Sequence, residues 1–208
     1  MSRLLDVLSK NKFSLIVYLP ENKPALAKLV EKLGADALLV KNDEMADLIV
    51  KAVRIPVGVD VETQKISVKK LKSLEGFDFV NFGLDALETF AKHKKGSRVV
   101  ALDDKYTLDR LMQVENKADS VDATIISIRH LGKGLVVGDL QNYIAIALSS
   151  GLPVIIPTQR KIKPSEVAII WDTGAKGLLL TETVLGKDEK SIEKKFKEYK
   201  IAVDDLGA

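Results

Sequence analysis

Residues 13–41 read FSLIVYLPENKPALAKLVEKLGADALLVK, and the pattern within them decides the fold. A short apolar run, Phe13–Leu19, leads into a segment whose Leu26, Leu29, Val30 and Leu33 recur at the spacing of one helical face. Gly34 then ends the helix, because glycine takes the left-handed conformation that stops one. A second apolar run, Asp36–Lys41, follows. Working outward, the same succession recurs at Pro56–Val61, Phe77–Phe82, Arg98–Asp103, Asp122–Ser127, Pro153–Thr158 and Gly177–Thr181. Gly76-Phe77-Asp78, Gly151-Leu152-Pro153 and Gly174-Ala175-Lys176 repeat the helix-ending glycine. Eight strand–helix units in 208 residues predict an α/β fold, a closed parallel (β/α)8 barrel formed by residues 1–208 as one domain. An open doubly wound sheet usually has fewer strands. The N-terminal MSRLLDVLSKNKF is too short and too charged for a signal peptide and reads as a helix closing the bottom of the barrel.

Composition fits that expectation. Hydrophobic residues make up 46% and charged residues 29% of the chain, as a buried sheet wrapped in solvated helices requires. The absence of cysteine excludes disulfides, thiol nucleophiles and Cys-based metal sites, and suits a cytoplasmic protein. No apolar run approaches the roughly 20 residues that span a bilayer, so no membrane role is expected. The net charge of +3 comes from interleaved bases and acids, and aromatic residues are only 5%, so no nucleic-acid partner is expected. The densest basic run, Lys92-His93-Lys94-Lys95, reads as a solvated helix end.

Barrel strands alternate between residues facing the interior and residues facing the helices. One parity is uniformly large and apolar, from Leu15/Val17/Leu19 to Leu178/Leu180, and belongs against the helices. The other mixes small and polar residues and belongs inside: Ser14/Ile16/Tyr18, Ala37/Leu39/Lys41, Gly58/Asp60, Phe79/Asn81, Val99/Ala101/Asp103, Ala123/Ile125/Ser127 and Gly177/Leu179/Thr181. Strand 7 is apolar on both parities, and Val154/Ile156/Thr158 is assigned inside by analogy. The last interior residues fall at the strand ends where barrel enzymes carry their chemistry.

Lys41 and Asp60, on adjacent strands, form the sharpest constellation. Together they read as a polarising or anion-holding lysine beside an acid–base carboxylate, or as a structural ion pair across the mouth. Asp103 is the third catalytic candidate, in a group with Glu62, Asp104 and Glu182 that singles out no metal-ligand set. No metal or other cofactor is therefore expected. The long connection Ser127–Gly138, SIRHLGKGLVVG, offers Arg129 and His130 as anion-binding residues of a flap over the mouth.

The last quarter, PVIIPTQRKIKPSEVAIIWDTGAKGLLLTETVLG, resembles the strand 7–helix 7–strand 8 unit of phosphate-binding TIM barrels such as thiamine phosphate synthase and indole-glycerol phosphate synthase. The resemblance rests on the Pro-Val-Ile strand, Ile162-x-Pro164 at a helix start, and Gly174-Ala175 before an apolar strand. It implies a phosphate site formed by the loops after strands 7 and 8 and a helix N-terminus. Glycine is usual in those loops, whereas this chain has Thr158-Gln159-Arg160 and Thr181-Glu182-Thr183. Thr158, Arg160, Thr181 and Thr183 are accordingly expected to hold an anion through side chains. The leading functional expectation is an isomerase or lyase acting on a small anionic metabolite, phosphorylated ones included. The alternative is a non-catalytic barrel that binds a ligand or a partner.

Overall fold

Strand β1 (Ser14–Tyr18) pairs in parallel with β2 (Ala37–Lys41) on one side and with β8 (Gly177–Leu180) on the other, so the sheet has no free edge. Between them lie β3 (Val57–Asp60), β4 (Phe79–Gly83), β5 (Ser97–Leu102), β6 (Ala123–Ile126) and β7 (Val154–Pro157), each paired with its sequence neighbours. The chain is thus a closed eight-stranded parallel barrel, as the sequence pattern predicts. The computed structural model describes residues 3–61, 67–90, 93, 95–102, 121–126 and 132–207. Helices α1 (Arg3–Lys10), α2 (Pro24–Lys32), α3 (Ala46–Ala52), α4 (Leu87–Phe90), α5 (Val137–Ser149), α6 (Val167–Asp172), α7 (Glu182–Leu185) and α8 (Glu189–Asp204) accompany the strands, and a 3-10 helix, Val68–Leu74, follows β3.

Two apolar layers fill the fold. The outer one joins Leu15, Val17, Leu38, Val40, Val80, Val100, Leu178 and Leu180 to the helices. The inner one holds Ile16, Ala37, Leu39, Phe79, Val99, Ala123, Ile125, Ile155 and Leu179, and Leu4 and Leu8 of α1 join it. Helix α1 is therefore a plug in the barrel. Parity separates the layers as expected on every strand but one. On β7 the interior residue is Ile155, while Val154 and Ile156 face the helices. The register Ile155↔Gly177 and Pro157↔Leu179 imposes this, since neighbouring strands share one inward level. Thr158 consequently shares the parity of the helix-facing side chains.

A repeated clasp pins the opposite end of the barrel. Asp36, Asp78 and Asp122 each immediately precede an even-numbered strand. Their carboxylates accept from the backbone N–H groups of Leu15 (2.7 Å), Val57 (2.9 Å) and Arg98 (2.7 Å) on the preceding odd strand. Their own N–H groups donate back to the carbonyls of those three residues, each at 2.8 Å. In the fourth pair Lys176 keeps the backbone bond to Val154 but has no carboxylate to complete the clasp. Burial raises the Asp36 carboxyl above its ordinary value, against the opposing bonds from Leu15 and Asn11.

The Lys/Glu-rich segment Glu189–Leu206 reads from its sequence as a solvated helix anchored by Ile192, Phe196 and Ile201, and that expectation changes, as does the one for the basic run. On α8 the anchors are Ile192, Phe196 and Tyr199, whereas Ile201 is 62% exposed. The inward stripe continues one turn past Phe196 to position 199 and leaves 201 on the outer flank. The basic run is not uniformly solvated either. His93 is buried with its ring edge toward Phe90, although Lys95 reaches solvent and pairs with Glu75 at 2.8 Å.

Gly58 sits opposite Phe79 in register, and a β-carbon at position 58 would run into the Phe79 ring. Gly58→Ala should destabilise the barrel by about 1–3 kcal/mol through overpacking, and Phe79→Leu in the same chain should recover part of it. Urea unfolding of the two single variants and the double variant checks this. His93 supplies a second expectation. Burial lowers its folded pKa below the ordinary 6.5, opposed by Glu75 and reinforced by Arg98. The unfolded chain then binds the proton first as pH falls, so stability is full above 6.5 and declines below it. His93→Leu should flatten the melting temperature against pH across that acidic window.

Candidate functional site

Closing the barrel gathers the ends of β1, β2, β7 and β8 around a cavity of about 450 Å³ at the C-terminal mouth. Its wall includes Tyr18, Lys41, Gln159, Thr181, Glu182 and Thr183. Three of the expected site residues, Lys41, Thr181 and Thr183, thus meet in one space.

Lys41 ends β2 and is exposed. Its backbone is clamped by the buried Asn22, whose Nδ2 donates to the Lys41 carbonyl at 2.7 Å while its Oδ1 accepts from the Lys41 N–H at 3.3 Å. The ammonium donates to the Pro20 carbonyl at 2.5 Å. Asp60 is the register partner of Lys41, yet its carboxylate is engaged elsewhere. Oδ2 accepts from the Tyr18 hydroxyl at 2.8 Å and Oδ1 from Asn81 Nδ2 at 3.0 Å. The expected Lys41–Asp60 pair is therefore replaced by two separate arrangements. Backbone adjacency brings the α-carbons together, but a long lysine side chain reaches past its neighbour to the carbonyl on the adjoining loop.

Thr158 and Thr181 lock to each other. The Thr158 hydroxyl accepts from the Thr181 N–H at 2.8 Å and lies 3.2 Å from the Thr181 hydroxyl, which donates to the Thr158 carbonyl at 3.2 Å. Both threonines are buried, and the pair fastens the end of β7 to the start of α7. Of the two, Thr181 borders the cavity.

Arg160 departs furthest from its expected role. Its guanidinium donates to Asp139 Oδ1 at 2.8 Å, with both side chains under a tenth exposed. Asp139 also accepts from the Val136 N–H at 3.0 Å, capping α5, which begins two residues earlier at Val137. Arg160 thus ties the loop after β7 to the start of α5 instead of presenting charge to the mouth. Backbone bonds from Gly132 to Gln159 (2.9 Å) and from Lys161 to Lys133 (2.8 Å) complete the seam between the two loops. Glu182, on the cavity wall, is exposed and lies 3.6 Å from Lys187.

Asp103, Arg129 and His130 lie outside the described residues, as do Glu62, Asp104 and Ser127. Among the described residues no three His, Asp or Glu side chains converge in a metal-binding group. No described helix is long and apolar enough to cross a membrane. Sequence reading alone gives no role to Asn22 or Gln159. Asn22 follows Pro20 in a polar loop and carries no periodic signal, and Gln159 emerges only once the inward parity of β7 is corrected.

The fold has close structural counterparts. Thiamine phosphate pyrophosphorylase from Pyrococcus furiosus matches over 95% of this chain and 98% of its own, with a TM-score of 0.68 and 16% identity. Phosphoribosyl anthranilate isomerase from Thermotoga maritima matches over 93% and 100%, at 0.74 and 11% identity. A chain of tryptophan synthase from Mycobacterium tuberculosis matches over 97% and 98%, at 0.73 and 14% identity. The likeness therefore covers the whole barrel and not the last quarter alone. At these identities it is a likeness of fold. No protein-family model and no curated protein matches the sequence.

Removing Arg160 should expose its structural role. Arg160→Met strands the buried Asp139 charge and should cost about 3–5 kcal/mol of stability. Adding Asp139→Leu should return part of that loss. Chemical denaturation of the single and double variants measures both, and an Arg160→Met chain as stable as wild type would return Arg160 to the anion-binding role.

Proposed function

We propose that this barrel is a cytoplasmic small-molecule enzyme of isomerase or lyase type that takes an anionic metabolite, phosphorylated ones included, into the cavity at its C-terminal mouth. The observation that carries this reading is the cavity itself. Lys41 stands on its wall with Thr183 and the interlocked Thr181, and its register partner Asp60 has both carboxylate oxygens in hydrogen bonds. Lys41 holds negative charge there, and a lysine suits that task because its ammonium offers three donors on a flexible stem. Asp60 and Asp103 supply acid–base chemistry, and Arg129 and His130 complete the anion site from the loop after β6. The names of two structural counterparts refer to phosphorylated compounds, which agrees with an anionic ligand.

A second reading, a barrel that binds without catalysis, is favoured by how little positive charge the described residues bring to the mouth. Arg160 is spent on Asp139, and Glu182 on the wall repels a phosphate.

Thermal-shift measurements with inorganic phosphate, glycerol 3-phosphate and ribose 5-phosphate test for the anion, because a ligand that binds only the folded chain raises its melting temperature. No shift with any of them removes the anion site. Lys41→Met should leave stability nearly unchanged, since the side chain is exposed, while phosphate-ester affinity falls roughly ten- to a hundredfold. Unchanged affinity would clear Lys41 of the role. Phosphorus NMR of bound esters over time separates the two readings, because only an enzyme gives new resonances.

A further inference from the structure

Helix α5 is apolar on both sides, although only one side has the barrel to pack against. Inward, Tyr143 and Ile146 are buried, and Leu140 and Ala147 pack against the outer apolar layer. Outward, Val137, Gln141, Ile144 and Leu148 form a second stripe with Ala145 beside it, and all five are exposed. Val137 is 71% and Leu148 82% exposed. A surface helix ordinarily turns charged residues to water. Helix α8 does so through Glu189, Lys190, Lys194 and Lys197, all exposed. The single charged residue of α5, Asp139, is buried, so the outward face of this helix carries no charge at all.

We infer that the outward stripe of α5 is the contact face of a homodimer, in which the α5 helices of two copies pack antiparallel across a twofold axis. The stripe's spacing of four, three and four residues is that of a coiled-coil seam, which packs against another helix. That spacing reads the same in both directions. Turned end for end, Val137 falls opposite the partner's Leu148 and Gln141 opposite the partner's Ile144, as a contact between identical faces requires. Charge selects the same occupant. The chain is net basic at +3, and an acidic partner would be drawn to lysines, of which this face has none. A second copy meets no like charge across it. One helix pair buries less than the roughly 1,200 Å² of the smallest standard interfaces, so the dimer is reversible, with a Kd on the order of 100 µM.

Sedimentation equilibrium from about 10 µM to about 1 mM should show the mass of wild type rising from one chain toward two. Leu148→Glu sets a charge opposite the partner's Val137 and should keep the chain monomeric throughout. Its melting temperature should stay nearly unchanged, because the side chain is exposed. Gln141→Leu replaces the one polar residue of the seam and should tighten the dimer roughly tenfold. Cross-linking tests the antiparallel pairing, since the chain has no cysteine of its own. Val137→Cys and Leu148→Cys in one chain stand about 16 Å apart along α5, too far for a disulfide within that chain. Oxidation of this double variant should therefore give a covalent dimer, and either single variant should give far less. Wild type that stays monomeric at every concentration overturns the inference. So does a dimer that survives Leu148→Glu, or a double-cysteine variant that cross-links no better than the single ones.

Discussion

Everything at the mouth of this barrel depends on strand register, and the register is pinned at the other end. The reciprocal clasps of Asp36, Asp78 and Asp122 join three odd strands to the even strands that follow. A slip of one residue would turn every side chain of a strand to the opposite face. With the register fixed, Lys41, Asp60 and Asn81 fall level on β2, β3 and β4. Packing reinforces the same register from within, because Gly58 leaves the space that the Phe79 ring occupies. The plug from α1 then packs Leu4 and Leu8 into the apolar interior cluster with Ile16, Ala37, Phe79 and Leu179.

Near the mouth, charged groups hold the loops. Arg160 and Asp139 bind the loop after β7 to the start of α5, and Asn22 and Pro20 hold Lys41 from the loop after β1. A buried ion pair of this kind owes its value to position as much as to energy, because desolvating both groups offsets most of their attraction. Here the gain is a seam between two loops that both border the cavity, through Gly132 and Gln159. Barrels with 11–16% identity reach the same closed sheet, so the architecture follows the alternation of apolar and small residues and tolerates wide change in the loops.

The sequence by itself determined the strand count, the parallel order, the plug and the inward face of seven strands. Each follows from a local periodicity, which the chain writes residue by residue. It also placed Lys41, Asp60, Thr181 and Thr183 at strand ends or just beyond them. Tertiary structure alone decided which partners those groups take. The face of β7 depends on its neighbours, since Val154, Ile155 and Ile156 are all apolar and carry no alternation of their own. Arg160 lies 21 residues from Asp139, and Tyr18 lies 42 from Asp60. Contacts at such separations leave no periodic trace, and a hydrogen bond is settled by which donor arrives within 3 Å when the sheet closes.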